Sequence, residues 1–221
     1  MAFAPPPRAA RPRPSARRAP GEVRLIGGQW KRSKLPVADV PGLRPTPDRV
    51  RETLFNWLGQ NLDGWRCLDA FAGSGALGFE AASRGAAQVV LLERDRHLAR
   101  SLNESAQRLK ATALRVECAD AVAWMARAAP SSFDLVFLDP PFDSALAAPA
   151  LVAAVRVIAP DGLIYLEQPR PLGADAALPV DLRVVRQGRA GAVHFHLLRR
   201  TPADPFDGAP APVPSASSPT G

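Results

Sequence analysis

The segment CLDAFAGSGALG, residues 67–78, joins a short apolar run to a glycine-rich turn and the start of a helix. Its glycines satisfy the spacing GxGxxG at Gly73, Gly75 and Gly78, and this spacing lets backbone approach a bound nucleoside closely. Glu93 ends the next apolar run, where a carboxylate can meet ribose hydroxyls. A tight turn alone would explain the glycines but would leave Asp69 and Glu93 unexplained. The segment therefore predicts a nucleoside cofactor on a Rossmann-like sheet.

Strands and helices are predicted to alternate on both sides of this segment. The strands are expected near residues 66–70, 88–93, 113–118, 133–139, 162–168, 180–187 and 192–199, and the helices near 75–84, 95–110, 120–129 and 144–159. The first five strands should be parallel. A short turn at residues 188–191 joins the last two strands, which predicts an antiparallel hairpin and departs from a dehydrogenase layout.

Acidic residues at the strand ends favour S-adenosylmethionine over NAD. Asp69 precedes the glycines, where a carboxylate would repel a pyrophosphate but can bind the methionine ammonium. Asp120 follows the third strand and can accept a hydrogen bond from an adenine amino group; a helix N-cap is the other interpretation, and both roles are compatible. The predicted cofactor-binding residues are Asp69, Phe71, Gly73, Ser74, Gly75, Glu93, Asp120 and Asp139.

The segment FLDPPF, residues 137–142, ends a buried strand on a carboxylate followed by two prolines and a ring. Asp139 and the Pro140 carbonyl can accept hydrogen bonds from an exocyclic amino group and so aim its lone pair at a methyl donor. Phe142 can stack on the base, which must be unpaired or flipped out. Asp-Pro alone usually marks a turn. Together with the glycine loop, it predicts Asp139, Pro140 and Phe142 as catalytic residues.

Residues 21–63 are predicted to form a β-hairpin and a helix. Alternation from Glu22 with a glycine turn at residues 27–28 indicates the hairpin. Thr46 as N-cap, Pro47 at the first helical position and Asp48 in the first turn predict the helix start. The apolar positions of this helix share one face: Val50, Leu54 and Leu58.

Cations cluster in this N-terminal segment with an interleaved tryptophan, which favours nucleic-acid contact over the alternative of a solvated face. The predicted RNA-binding residues are Arg24, Trp30, Lys31, Arg32, Lys34, Arg44, Arg49 and Arg51. The chain of 221 residues carries a net charge of +7. Five arginines lie in residues 1–20 and two aspartates in residues 201–221, so residues 21–200 keep a charge of +4.

Composition excludes several other classes of protein. No apolar run is long enough for a membrane span or a signal peptide, so a cytoplasmic protein is expected. Cys67 and Cys118 lie in predicted buried strands and are expected to be reduced thiols. His194 and His196 lie two apart on a predicted strand, but no nearby acid or cysteine completes a ligand set, so no metal site is expected.

These motifs resemble the bacterial RsmD type of 16S ribosomal RNA guanine-N2 methyltransferase across nearly all of residues 22–200. The resemblance lies in residues 23–28 with Trp30, in residues 43–56, in residues 71–78 and in residues 138–142. It implies a seven-stranded, Rossmann-like class I S-adenosylmethionine-dependent methyltransferase fold. It also implies an N2-methylguanine product in 16S rRNA, made on a small ribosomal subunit or an assembly intermediate.

The chain is therefore expected to divide into four parts. These are a disordered basic tail at 1–20, an RNA-binding hairpin and helix at 21–63, a methyltransferase domain at 64–200 and a disordered tail at 201–221. A monomer is expected. Two alternatives stay open. One is a DNA amino-methyltransferase, against which the lack of a visible target-recognition domain counts. The other is a non-catalytic RNA-binding factor of ribosome assembly, for which cofactor binding would be incidental and against which the intact Asp139 motif argues.

Overall fold

A computed structural model of the chain describes residues 21–38, 46–141, 145–172, 178–179 and 181–200. The two predicted tails, Arg44 and Phe142 lie outside these ranges. Within them the strands are β1 Gly21–Arg24, β2 Lys34–Val37, β3 Arg66–Asp69, β4 Gln88–Glu93, β5 Leu114–Cys118, β6 Phe133–Leu138, β7 Ile158–Gln168, β8 Leu182–Ala190 and β9 Val193–Arg200. The helices are α1 Asp48–Leu58, α2 Ala76–Ser83, α3 Arg96–Arg108, α4 Ala121–Arg127 and α5 Ala147–Val157.

Strands β3 to β9 form one seven-stranded sheet in the order β5-β4-β3-β6-β7-β9-β8. The pairs from β5 through β7 are parallel, and β9 pairs antiparallel with both β7 and β8. The predicted sheet with its C-terminal hairpin is thereby confirmed. Strand β3 lies between β4 and β6, so the order reverses direction beside β3, where open α/β sheets bind ligands.

Helices cover both faces of the sheet because successive apolar side chains of each strand point to opposite sides. In β6, Leu135 and Phe137 pack with α1, α2 and α3, whereas Val136 and Leu138 pack with α4 and α5. All four of these side chains are fully buried. Continuous apolar runs in the parallel strands therefore build a three-layer α/β sandwich. No helix in the described ranges has the length and apolar character that a membrane crossing requires.

The N-terminal hairpin and α1 share the first of these cores. Leu25 and Leu35 of the hairpin segment are fully buried in it. Phe55 of α1 lies 6.3 Å from the ring of Phe137, and Trp57 lies 5.3 Å from the ring of Phe195. The hairpin and α1 are thus packed on the sheet face that carries α2 and α3.

The hairpin is confirmed and the glycine pair lies in its connection, but this connection spans residues 25–33 and is longer than a tight glycine turn. Strands β1 and β2 pair from Gly21 with Val37 to Arg24 with Lys34, and a longer connection joins them. Gly28 has a φ of +69°, and a Cβ there would lie 1.8 Å from the carbonyl oxygen of Ser83. This glycine therefore serves close docking of the connection onto the end of α2.

Three further local predictions need correction. Pro47, with a φ of −57°, is the N-cap of α1 and precedes the first helical position, and Thr46 makes no capping hydrogen bond. The Thr46 hydroxyl turns to Asp139 instead. Cys67 is buried as expected, but Cys118 is exposed because β5 is an edge strand.

Candidate active site

A pocket of about 390 Å³ opens at the carboxyl edge of β3, β4 and β6, beside the point where the strand order reverses. Seven of the eight predicted cofactor-binding residues line it: Asp69, Phe71, Gly73, Ser74, Glu93, Asp120 and Asp139. The eighth, Gly75, is the residue before α2 and has a φ of +80°. A Cβ at this glycine would lie 2.6 Å from Leu102. Gly75 therefore allows close packing of the turn against α3 and is not among the residues that line the pocket.

The glycine loop is held by Glu93 at the end of β4. One carboxylate oxygen of Glu93 accepts the Gly73 N–H at 2.9 Å, and the other accepts the Asp95 N–H at 2.8 Å. Each oxygen keeps a further lone pair for a ligand hydroxyl. Glu93 thus fixes the loop and keeps acceptor positions on the pocket wall.

Asp69 ends β3 with a buried carboxylate, 2% exposed, on the pocket wall. Its Oδ2 accepts the N–H of Gly78 at 2.9 Å. Burial, and secondarily the charge of Glu93, raise the pKa of Asp69 to about 7 against the opposing hydrogen bonds. A carboxyl group in this state gains strongly from a cation placed beside it.

Asp139 follows β6, the strand next to β3, and lines the same pocket. Thr46 donates its hydroxyl to Asp139 Oδ2 at 3.5 Å. Burial, together with the charges of Glu167 and Asp69, raises the pKa of Asp139 well above its ordinary value. Pro141 contributes to the described lining of the pocket, and Pro140 is buried beside it.

Asp120 caps α4 by accepting the Ala123 N–H at 2.8 Å, so the N-cap interpretation is confirmed. The same side chain lines the pocket and is exposed to it. One Asp120 oxygen is free to take a second partner, because the capping bond uses Oδ1.

The donor set of the pocket fits S-adenosylmethionine. Five carboxylates line the cavity in a protein of net positive charge: Asp69, Glu93, Asp95, Asp120 and Asp139. Arg94 is the basic residue that the described lining contributes. Such a wall suits an ammonium, a sulfonium and hydroxyl or amino donors, and it repels a pyrophosphate. In the described part of the chain, no group of three or more acidic, histidine or cysteine side chains has the geometry to hold a metal ion.

The structure separates the predicted RNA-binding residues into two groups. The exposed cations are Arg24, Lys31, Arg32, Lys34 and Arg49, and Trp30 is half-buried among them. Arg24 and Lys34 also pair with acids, namely Asp48 at 3.8 Å and Glu22 at 2.6 Å.

The prediction that Arg51 binds RNA needs correction, because its side chain is fully buried and out of reach of an RNA. Its Nε donates to the Thr46 carbonyl at 3.2 Å, and another nitrogen donates to the Arg24 carbonyl at 2.8 Å. Its guanidinium also pairs with Glu80 and Asp48. Arg51 is therefore a structural cation that ties the start of α1 to the hairpin and to α2.

Sequence reasoning missed Thr46 and Glu80. Thr46 was assigned to a helix cap, yet it lines the pocket. Glu80 lies in an apolar stretch of α2 with no exposed surface, and its carboxylate bonds Ile26 N–H at 2.9 Å, Arg84 at 2.9 Å and Arg51 at 3.4 Å. A charged residue inside an otherwise apolar helix was the available signal for such a network.

A seven-stranded, mainly parallel sheet ending in an antiparallel hairpin, with a glycine loop and a carboxylate-lined pocket at β3, defines a class I methyltransferase fold. Residues 23–199 match the family described as Conserved hypothetical protein 95. The chain belongs to this family, and the resemblance to the RsmD type is confirmed.

Named relatives and solved structures agree with this assignment. The chain is 43% identical over 182 residues to ribosomal RNA small subunit methyltransferase D of Escherichia coli K12, covering 81% of this chain and 91% of the relative. The protein of the same name from Haemophilus influenzae is 42% identical over 186 residues, covering 81% and 94%. The solved structure of the E. coli methyltransferase yhhF is 42% identical with a TM-score of 0.72, covering 82% of this chain and 99% of that one.

Proposed function

We propose that the protein transfers a methyl group from S-adenosylmethionine to the exocyclic N2 of a guanine in the 16S rRNA of the small ribosomal subunit. The observation that carries this proposal is the placement of Asp139 on the same pocket as the glycine loop, Asp69 and Glu93. A cofactor site and an amino-group acceptor then face one cavity. The names of the relatives from E. coli and H. influenzae support the class of substrate.

The residues of the chain divide the work between holding and orienting. Asp69 binds the methionine ammonium, Glu93 the ribose hydroxyls and Asp120 the adenine amino group. When bound, S-adenosylmethionine supplies an electrophilic methyl group on a sulfonium. Asp139 and the Pro140 carbonyl accept hydrogen bonds from the guanine amino group, and Phe142 stacks on the base. Because the nitrogen lone pair is delocalised into the ring, this positioning and the facing carboxylate supply the catalysis.

The N-terminal segment, residues 21–63, is the proposed RNA-binding part, and residues 64–200 are the proposed methyltransferase domain. Cations of this segment supply the phosphate contacts, namely Arg24, Lys31, Arg32, Lys34, Arg49 and, beyond the described ranges, Arg44. Trp30 adds stacking. The substrate is an assembled or partly assembled subunit, and the protein acts as a cytoplasmic monomer.

The deciding experiment offers S-adenosylmethionine with a labelled methyl group to three acceptors. These are purified 16S rRNA, small subunits from a strain lacking this protein, and DNA. We expect label in the subunits, and nuclease digestion should release it as N2-methylguanosine. Label in DNA alone would indicate a DNA amino-methyltransferase, and binding without transfer would indicate an assembly factor; either result contradicts the proposal.

The affinity for S-adenosylmethionine should rise with pH through the titration of Asp69. Because the pKa of this carboxyl is raised to about 7, it is mostly protonated at pH 5.5 and half ionised at pH 7. Ionised Asp69 is the form that binds an ammonium, so affinity should increase roughly tenfold over this range. Calorimetric titration measures it.

The Asp69→Asn variant is the control for this pH dependence. It keeps an acceptor for the Gly78 N–H but has no charge to titrate. Its affinity should be low and nearly constant between pH 5.5 and 7. The same slope in the variant as in the wild type would refute the assignment of Asp69.

Replacing Lys31 and Arg32 by glutamine should weaken RNA binding without changing cofactor affinity. Both side chains are exposed on the connection between β1 and β2. If each contacts one phosphate, the slope of log affinity against log salt should fall by roughly 1.4 to 1.8. Filter binding to small-subunit rRNA over a salt series measures this slope.

A matched control removes an exposed arginine from the opposite face of the sheet. Arg127 lies in the last turn of α4, which packs on the face away from the hairpin. Arg127→Gln should leave the salt slope unchanged. An equal loss of RNA affinity in this control would mean that net charge, rather than the hairpin, governs binding.

A further inference from the structure

The buried carboxylate of Glu167 lies next to Asp139, near the end of the neighbouring strand β7. The register pairs Leu138 with Leu166, so Asp139 and Glu167 follow side by side at the carboxyl edge of the sheet. Glu167 is 3% exposed. No ion pair to Glu167 is found among the residues that the structure describes. Burying a carboxylate without an ion-pair partner lowers the stability of the folded protein, so its presence indicates a functional role.

One hydroxyl joins the two carboxylates. Thr46, only 5% exposed, donates its hydroxyl to Asp139 Oδ2 at 3.5 Å, and hydrogen bonding by the same hydroxyl also acts to lower the pKa of Glu167. A hydroxyl has one proton to donate, so it can bond both carboxylates only if one of them is protonated and donates to it. The bridge is therefore complete when Asp139 and Glu167 share one proton.

Other groups around this bridge set its charge. Tyr165 of β7 donates its hydroxyl to Glu167 Oε1 at 2.7 Å. The negative charge of Asp69 of β3 acts on Asp139, and that of Glu93 of β4 acts on Asp69. Arg51 of α1 donates to the Thr46 carbonyl, and Glu80 and Asp48 already pair with its guanidinium. The surroundings are thus net acidic, and burial raises the pKa of both Asp139 and Glu167.

We propose that Glu167 is a positioning residue that exchanges a proton with Asp139 through the Thr46 hydroxyl and so takes up the proton released by methyl transfer. This inference rests on the proposed function. The nitrogen lone pair forms the bond to the methyl carbon, and the carbon–sulfur bond breaks with its electron pair going to sulfur. The amino nitrogen then gives one proton to Asp139. Thr46 accepts that proton on its oxygen and passes its own to Glu167.

The charge of the closed site stays constant through this sequence. Before transfer, the sulfonium offsets one of the two carboxylates that face each other across Thr46. Afterwards the sulfur is neutral, and the proton on Asp139 or Glu167 offsets the same charge. A site from which water is excluded avoids a change of net charge in this way.

The test is the pH profile of single-turnover methyl transfer to small subunits by Glu167→Gln. Glutamine keeps the shape, cannot accept the proton and can donate to Thr46 as a protonated Glu167 would. Asp139 loses a facing charge, so the acidic limb of the profile should move down by at least about half a pH unit. The plateau rate should fall roughly tenfold, because the proton has no route from Asp139. An acidic limb that stays in place or moves up would overturn the inference.

Thr46→Val keeps Glu167 and cuts the bridge. Asp139 then loses a donor while the charge of Glu167 remains, so the acidic limb should move up, opposite to Glu167→Gln. This variant alone decides the question if Glu167→Gln does not fold, since an unmoved or lowered limb would again overturn the inference. A purely structural role would not move the two limbs in opposite directions.

The matched control is Glu117→Gln on the edge strand β5. Glu117 also accepts a hydrogen bond from an aromatic side chain, Trp124 Nε1 at 2.6 Å, but does not line the pocket. Its pH profile should match that of the wild type. Absence of transfer by the wild-type protein would remove the proposed function itself, whereas transfer with unmoved limbs in the variants would remove the role of Glu167 alone.

Discussion

Asp139→Ala should reduce methyl transfer to small-subunit rRNA by at least about a hundredfold, the lower range for a positioned acid–base group. The amino nitrogen loses the carboxylate that orients its lone pair and faces its developing charge. Asp139 lines the pocket, but the proposed cofactor contacts of Asp69, Glu93 and Asp120 remain, so cofactor affinity should change by no more than a few-fold. Single-turnover transfer and calorimetric titration measure the two quantities separately.

The same variant should not lose stability. Burial and the charges of Glu167 and Asp69 raise the pKa of Asp139, so its ionised form destabilises the folded protein at neutral pH. Removing it should leave the melting temperature unchanged or higher, as is common for residues kept for function. Full activity in Asp139→Ala would refute the catalytic assignment, and a lower melting temperature would point to a structural one.

Asp134→Ala provides the control on the same strand. Asp134 lies in β6 at the end away from the pocket and pairs with Arg66 at 2.8 Å while partly exposed. Its loss should cost about 1 kcal/mol or less for the pair, with one backbone bond to Arg66 in addition. Methyl transfer should persist. Comparing methyl transfer by the two variants then shows whether the loss depends on the position of the aspartate at the pocket or on the removal of any aspartate from β6 and its end.

The sheet and the cofactor side of the pocket were predictable because their signals are local. The glycine spacing of residues 73–78 and a carboxylate at the end of β4 follow from short stretches of sequence. The alternation of predicted strands and helices then indicated which strand ends meet at one edge of the sheet. The predicted strands β3 to β6 end within a residue of their predicted positions.

The failures involve contacts between residues far apart in the chain. Gly28 looked like a turn residue, but its positive φ serves contact with Ser83, fifty-five positions later. Arg51 looked exposed near a helix start, whereas its partner Glu80 lies on another helix. Thr46 met the rules for a cap and instead faces Asp139, ninety-three positions away. Local propensity cannot weigh partners that only the fold brings near.

The Glu80→Ala variant should lower the free energy of unfolding by about 3 to 5 kcal/mol, the cost of breaking a buried ion pair from one side. Arg51 would be left with no exposed surface and one acid fewer, and Arg84, at 6% side-chain exposure, would lose its carboxylate. The Ile26 N–H would lose its acceptor as well. Chemical denaturation measures the change. Glu104→Ala on the exposed side of α3 should change it by less than about 0.5 kcal/mol.

The loss of Glu80 should also reach the active site. Arg51 bonds the Thr46 carbonyl, and the Thr46 hydroxyl bonds Asp139, so a continuous chain of contacts runs from the buried ion pair to the pocket. In the absence of denaturant, and at a temperature at which Glu80→Ala stays folded, methyl transfer should fall several-fold. Cofactor affinity should stay unchanged. Glu80→Gln, whose single amide oxygen can still accept from either Ile26 or Arg84, should recover part of both losses. A destabilised variant with wild-type transfer would instead mean that Thr46 is held without Arg51.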